Sequence, residues 1–329
     1  MISVLQLGTI DYATALRLQR QLVALRKEEK IGDTLLLLEH KPVITLGRNA
    51  KAADIIASPE LLAQRGVEVF ECDRGGDVTL HAPGQLVGYP IFDLRGYTSG
   101  APDASSAIPQ NQSTTSAPRK HLGAVDFVRR LEEVLIRTCA DFALETKRIP
   151  GLTGVWTNAG AEDPHVETAA SAVQRSEERA PEHNREGHDF SRAVNPRDGA
   201  LASAAEVLSP HPAKIAPDSK LAAIGIHISH FVTSHGFALN VNTDLTYFDL
   251  IIPCGITTKP VTSMQQELSK PLDLNTVAAS ISRNFSTVFS NQILWLESLD
   301  ALLGHSVGVP MKPPSELHQL HKEEDTTWA

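Results

Sequence analysis

The sequence predicts an α+β domain with helices packed against a largely antiparallel sheet. Two observations predict it. Amphipathic helical stretches are interspersed among short apolar runs, and several of those runs lie too close in the chain for the long crossovers that parallel neighbours need. The 329 residues suffice for one large domain or two small ones, and 42% hydrophobic with 21% charged residues is an ordinary globular composition.

The elements follow in order. Within residues 11–30, Ala15, Leu18, Leu22 and Leu25 recur at three- and four-residue spacing with charge between them, which predicts a helix. Residues 35–38 and 43–46 predict a strand pair linked across residues 39–42; the leucine run of the first ends at once in Glu39, His40 and Lys41, so it reads as a buried strand rather than a membrane span. Residues 67–70 and 77–79 predict strands on either side of Arg74-Gly75-Gly76, and residues 122–142 and 275–289 two further amphipathic helices. Residues 155–157, 221–229 and 232–240 read as strands, the last two close enough for a hairpin.

Residues 97–120 and 158–218 lack the apolar content to offset the entropy of ordering them and read as mobile surface insertions into a single domain of residues 1–310, with a polar tail at 311–329. Residues 158–218 hold 11 acidic and 6 basic side chains and residues 311–329 hold 4 and 2, so these stretches supply most of the net charge of −9. That charge disfavours nucleic acid as a partner. The rest is nearly neutral and leaves Arg129, Arg130, Lys147 and Arg148 as either a basic patch for an acidic partner or a solvated mixed face. No apolar run is long enough to span a bilayer, and the first residues lack the regions of a signal peptide. Cys72, Cys139 and Cys254 are an odd, sparse set without metal-ligand spacing, which predicts a reducing compartment, the cytoplasm, with no disulfide framework and no metal.

Four segments could carry chemistry. In Ile252-Pro253-Cys254-Gly255, Pro253 stops an apolar run and Gly255 permits a turn, so Cys254 is either a thiol presented to a cleft or a buried inert one. Lys220 opens the apolar run Leu221-Ala222-Ala223-Ile224-Gly225, either as a solvated edge lysine or as a cation that stabilises a thiolate. Arg74-Gly75-Gly76-Asp77-Val78-Thr79-Leu80-His81-Ala82-Pro83-Gly84-Gln85 combines close backbone approach with an arginine for an oxyanion or carbonyl; alternatively it is a tight turn with a structural histidine. In His235-Gly236-Phe237-Ala238-Leu239-Asn240, the small residues leave room for a slender apolar ligand or another backbone, and His235 is a base or a structural hydrogen-bonding residue.

Together, and in this order, the Arg-Gly-Gly loop with its His and Pro-Gly-Gln, the Lys220 strand, the His235 strand and the Pro-Cys-Gly turn resemble the lipoyl(octanoyl) transferases of the biotin/lipoate-protein ligase superfamily. Gly47-Arg48, Gly154-Val155-Trp156 and Val261-Thr262-Ser263 are supporting matches. The resemblance implies a class II biotin/lipoate ligase catalytic-domain-like fold, a mixed, largely antiparallel sheet with packed helices. It implies Cys254 as the acyl-accepting nucleophile and Lys220 as the acid/base that lowers its pKa. The acyl-binding backbone falls on Arg74, Gly75, Gly76, Asp77, Val78, Thr79, Leu80 and His81, on Ala223, Ile224 and Gly225, and on Gly236, Phe237 and Ala238. The donor implied is octanoyl-acyl carrier protein, and transfer from its thioester implies no cofactor. The acceptors are lipoyl domains of 2-oxoacid dehydrogenase E2 subunits and the glycine cleavage H protein. Ala82 stands where the family has glycine, Leu80 where an aromatic residue is usual, and residues 158–218 where a short turn is usual. Rival readings are an ATP-dependent lipoate-protein ligase, an octanoyl amidotransferase between lipoyl proteins, and a non-catalytic lipoyl-domain-binding module.

Overall fold

Among the described residues, pairing between strands forms two sheets. The computed structural model describes residues 1–98, 121–158, 218–253 and 259–305; the body of each expected insertion, the tail 311–329 and Cys254 lie outside the described residues. The first half contains β1 (Ile2–Ile10), α1 (Tyr12–Lys27), β2 (Asp33–His40), β3 (Val43–Leu46), α2 (Pro59–Gln64), β4 (Glu68–Glu71), β5 (Val78–His81), β6 (Gln85–Ile91) and α3 (Ala124–Ala140). The second contains β7 (Thr146–Ile149), β8 (Leu152–Thr157), β9 (Lys220–Ser229), β10 (Val232–Asn240), α4 (Met264–Leu268), α5 (Leu274–Phe289), β11 (Ile293–Leu296) and α6 (Leu299–His305). The larger sheet runs β11-β1-β2-β6-β10-β9-β8-β7 and the smaller β4-β3-β5. Only β11-β1, β1-β2 and β3-β4 are parallel, so the sheets are mixed and mainly antiparallel, in agreement with the expected α+β class.

The expected pairing of residues 35–38 with 43–46 is corrected. β2 lies between β1 and β6 in the large sheet, whereas β3 lies between β4 and β5 in the small one. The reason is the unbroken leucine run. Leu35 and Leu37 enter a core shared with α3 and α5, while Leu36 and Leu38 enter a second core under α1. A strand covered on both faces needs apolar residues at every position, and its place is the middle of a large sheet.

Local signals set the helices. Asp11 caps α1 by accepting from Thr14 N at 2.8 Å, and Ala15, Leu18 and Leu22 form its buried stripe. Asp273 caps α5 in the same way through Asn275 N and Thr276 N. Both insertions start and end at closed points: Leu122 N donates to Tyr97 O at 3.1 Å, and Thr157 N donates to Ser219 O at 2.9 Å. Among the described residues, no helix is long and apolar enough to cross a membrane.

Candidate functional site

Antiparallel register makes the floor of a cavity. β9 and β10 pair Ala223 with Ala238 and Gly225 with Gly236, and alternation puts these four small residues on one face of the sheet. Ile224 and Phe237, the intervening pair, turn their side chains to the opposite face, into the core with α5. Over the floor lie the loop Arg74–Asp77, Thr79 and His81 of β5, and Tyr12 from the start of α1. Lys220 and the segment Gly151, Leu152 and Thr153 complete the lining of a cavity of about 300 Å³, the lower end of the range for small-ligand sites. Val78 and Leu80, also expected with the acyl-binding backbone, turn their side chains to the far face of β5, fully buried in a third core with Ile44 and Leu62.

The loop is held by its own arginine. Arg74 Nε donates to Thr45 Oγ1 at 3.1 Å, Nη2 to Thr45 O at 2.6 Å, and Nη1 to Gly75 O at 3.2 Å. Its donors thus brace the loop against β3, a use that the sequence did not disclose. Gly75 N is likewise taken, donating to Ile226 O at 2.9 Å, so it has no hydrogen left for an oxyanion. A Cβ on Gly225 would lie 2.7 Å from Gly75 O, so loop and floor meet only because no side chain stands there.

Two neutral histidines stand behind the loop. His40 Nδ1 faces Ile10 O at 3.0 Å and its Nε2 faces Tyr89 Oη at 2.7 Å; burial pushes its pKa from 6.5 down to about 4. His81 Nδ1 faces Gln85 Oε1 at 2.7 Å, and burial, with His40 nearby, brings its pKa from 6.5 to about 3. In the unfolded chain both rings would take a proton near pH 6.5. As the pH falls from 6.5 towards 4, the unfolded state binds protons that the folded state refuses, so stability rises with pH across that window and drains away on acidification. We expect Tm to drop between pH 7 and 4.5, and the drop to shrink in His40→Gln. An equal drop in the two proteins would remove His40 as a cause.

Lys220 opens β9 with its Nζ 5.3 Å from the ring centre of the buried Trp156, and Lys259 Nζ lies 5.7 Å from the same ring. The indole face stabilises positive charge there. Asp218 accepts from Lys147 Nζ at 2.8 Å and lies 3.6 Å from Lys259 Nζ. Lys220 is fixed by backbone bonds as well, its N donating to Pro260 O at 2.8 Å and its O accepting from Thr262 N at 3.0 Å. Cys254 lies outside the described residues. Of the other cysteines, Cys139 is buried, which pushes its thiol up to about 12, and Cys72 donates to Leu46 O at 3.4 Å.

His235 acts as a hydrogen-bonding strut. Its Nε2 meets Asp73 Oδ1 at 2.7 Å, and that bond holds the Asp73 carboxyl far below its ordinary value. The four candidate basic residues fall on a mixed face. Arg129 and Arg148 converge on the buried Glu132 at 2.6 and 3.1 Å, and Arg130 Nη2 donates to Thr98 O at 2.8 Å. Thus Arg74, Gly75, Gly76, Asp77, Thr79, His81, Lys220, Ala223, Ile224, Gly225, Gly236, Phe237 and Ala238 surround one cavity. Tyr12 and Tyr89 also line it and were missed; an aromatic at the start of an amphipathic helix carries no signal of what lies beyond its cap. No group of three or more His, Cys, Asp or Glu among the described residues is placed to hold a metal ion.

A family model described as the lipoyl protein ligase A/B catalytic domain matches residues 11–106 and 112–286. A protein of Koribacter versatilis named octanoyltransferase is 48% identical over 324 residues, covering 98% of both chains. One of the same name from Acidobacterium capsulatum is 44% identical, over 92% of this chain and 96% of the relative. Among solved structures, lipoate-protein ligase A bound with ATP aligns with a TM-score of 0.53 at 13% identity, over 98% of this chain and 96% of that one. The bipartite lipoate protein ligase of Thermoplasma acidophilum aligns with a TM-score of 0.53 at 12% identity, over 98% and 92%. With both the match over most of its length and relatives at this identity, the chain belongs to the lipoyl protein ligase A/B catalytic domain family.

Proposed function

We propose that this protein is an octanoyltransferase: it moves an octanoyl (or lipoyl) group from acyl carrier protein to a specific lysine of a lipoyl domain, through a thioester on Cys254. The observation that carries this reading is an apolar floor of Ala223, Gly225, Gly236 and Ala238 continuous with the strand that Lys220 opens. The name that relatives at 48% and 44% identity bear supports it. So does the Pro-Cys-Gly sequence at residues 253–255, which precedes Pro260, the backbone partner of Lys220.

In the first half-reaction Lys220 takes the proton of Cys254, and the thiolate displaces the carrier thiol from the octanoyl thioester. One thioester replaces another, so this step is near-isoenergetic. In the second, the lipoyl-domain lysine displaces Cys254 and forms an amide, which runs downhill and needs neither ATP nor a metal. Burial of the tail contributes roughly 0.8 kcal/mol per CH₂, which favours octanoyl over acetyl by several kcal/mol. Gly76, in the same loop as the engaged Gly75, offers its N–H to the oxyanion. Acceptors are the lipoyl domains of 2-oxoacid dehydrogenase E2 subunits and the glycine cleavage H protein, and the reaction belongs to the cytoplasm, a reading that the sparse cysteines support.

Incubation with octanoyl-acyl carrier protein alone, followed by peptide mass spectrometry, is expected to find one octanoyl adduct on Cys254, with none in Cys254→Ser. Failure of the wild-type protein to acylate would refute the reading. Transfer that requires ATP would instead indicate a lipoate-protein ligase.

A further inference from the structure

A line of amides behind the cavity dictates the state of one ring within it. Asn240 Nδ2 donates to Thr262 O at 2.9 Å. Gln85 Nε2 donates to Asn240 Oδ1 at 2.8 Å and to Leu80 O at 3.2 Å. Gln85 Oε1 then faces His81 Nδ1 at 2.7 Å. Thr262 O and Leu80 O are backbone carbonyls that only accept, so neither amide can be turned round without setting like atoms against each other. The direction of the whole line is fixed. Its last member, Gln85 Oε1, can only accept, which requires the proton of His81 on Nδ1.

We infer that Gln85 and Asn240 are positioning residues that hold His81 as the Nδ1–H tautomer, so that its bare Nε2 accepts an N–H of the lysine amine attacking the acyl thioester. The inference rests on the octanoyl-transfer reading and adds to it a residue for the second half-reaction. His81 lines the cavity, and its Nδ1 is engaged by Gln85, a buried residue that is not part of that lining, in a ring buried enough to remain neutral through the physiological range. A neutral ring with one fixed N–H offers one lone pair. That lone pair suits a neutral amine, which has two N–H groups besides the pair of electrons that attack. In the step itself the amine nitrogen bonds to the acyl carbon, the carbon–sulfur bond breaks, and the proton lost by nitrogen goes to the sulfur. His81 orients the amine and keeps no proton.

The line also reaches the other side of the site. Thr262, whose carbonyl anchors it, donates its own N–H to Lys220 O at 3.0 Å. One continuous set of hydrogen bonds therefore fixes both His81 and the start of the Lys220 strand, across residues far apart in the chain.

Two measurements test this. Long-range ¹H–¹⁵N spectra of the histidine-labelled protein are expected to show His81 with its proton on Nδ1, and this readout does not depend on activity. A spectrum with the proton on Nε2 overturns the inference even if octanoyl transfer proceeds. In single-turnover experiments, Gln85→Leu and Gln85→Glu are compared with wild type for acylation by octanoyl-acyl carrier protein and for subsequent transfer to a lipoyl domain. Protonated glutamate, its hydroxyl donating toward Asn240 Oδ1 as the amide of Gln85 does, still accepts from Nδ1–H through its carbonyl oxygen; leucine neither accepts nor donates. For Gln85→Leu we expect transfer to fall about tenfold or more, the size of one lost hydrogen bond, with acylation within about threefold of wild type, and Gln85→Glu to recover most of the loss. Acylation and transfer falling together in both variants would reduce Gln85 to a structural residue and overturn it. A wild-type protein that fails to acylate fails the octanoyl-transfer reading instead, and the spectrum still decides the tautomer.

Discussion

Lys220→Met is expected to slow octanoyl transfer by about 10²–10⁴-fold, the range for loss of a positioned acid/base, with little change in Tm. The backbone of Lys220 is held by Pro260 and Thr262 whatever its side chain, so the strand should form in the variant. What disappears is the amine beside Trp156. A free thiol has a pKa of about 8.5, so near neutral pH it is mostly protonated unless a neighbouring group takes the proton. Lys220→Arg separates two roles that lysine combines. Arginine supplies charge but does not deprotonate below a pKa of about 12, so it should restore part of the thiolate's stabilisation and little of the proton transfer. Iodoacetamide labelling of Cys254 followed across pH 6–9 reports the thiol directly. The labelling curve should move to higher pH in Lys220→Met and return partway in Lys220→Arg. Superimposable curves for wild type and Lys220→Met would mean that the amine does not tune the thiol. Cys139, buried and with its thiol pushed up to about 12, should stay unlabelled throughout and serves as an internal reference.

How far the fold and site could be read beforehand depended on whether the signal was local. The three long helices announced themselves through an apolar stripe within one segment, as with Ala15, Leu18 and Leu22 of α1. The β9–β10 hairpin was legible for the same reason. β6 was not: Gly88 and Pro90 argue against a central strand, yet it sits between β2 and β10. The register explains the exception, because the described β10 ladder stops at Gly88, and Pro90 O is instead taken by the Thr233 hydroxyl at 2.6 Å. The small residues of the floor were legible as a pattern, whereas Arg74, Lys220 and the other cavity-lining residues that were named came from the resemblance. Which neighbours fill the space beside each was not legible. Arg74 illustrates the limit: a positive charge next to two glycines reads equally well as a ligand for an oxyanion, and only the distance to Thr45 reveals it as a brace. The His81–Gln85–Asn240–Thr262 line is further out of reach, since its members come from three separate segments and no periodicity connects them.

The same close approach makes Gly236→Ala the substitution expected to harm the fold most for its size. The added methyl would overlap Gly88 O and lie 2.6 Å from Pro90 Cδ. Neither neighbour can yield: one is backbone and the other a proline ring, both in a strand that β2 pins from the opposite side through Leu35–Pro90 and Leu37–Gly88. Relief requires β10 to lift away from β6, which strains the ladder from Phe237 to Asn240 and tilts the cavity floor that Gly236 and Ala238 share. Overpacking against fixed atoms costs about 3 kcal/mol, and for a domain of this size that lowers Tm by roughly 6–12 °C. Gly96→Ala is the matched control, because nothing lies within 4 Å of the methyl it would add, and it should melt within about 2 °C of wild type. If Gly236→Ala melted with the control, β6 and β10 would have to be further apart than this register allows. If it melted early but bound octanoyl normally, the floor would be independent of the β6–β10 contact. The expected result is that stability and acyl binding fall together, since one backbone approach sets both.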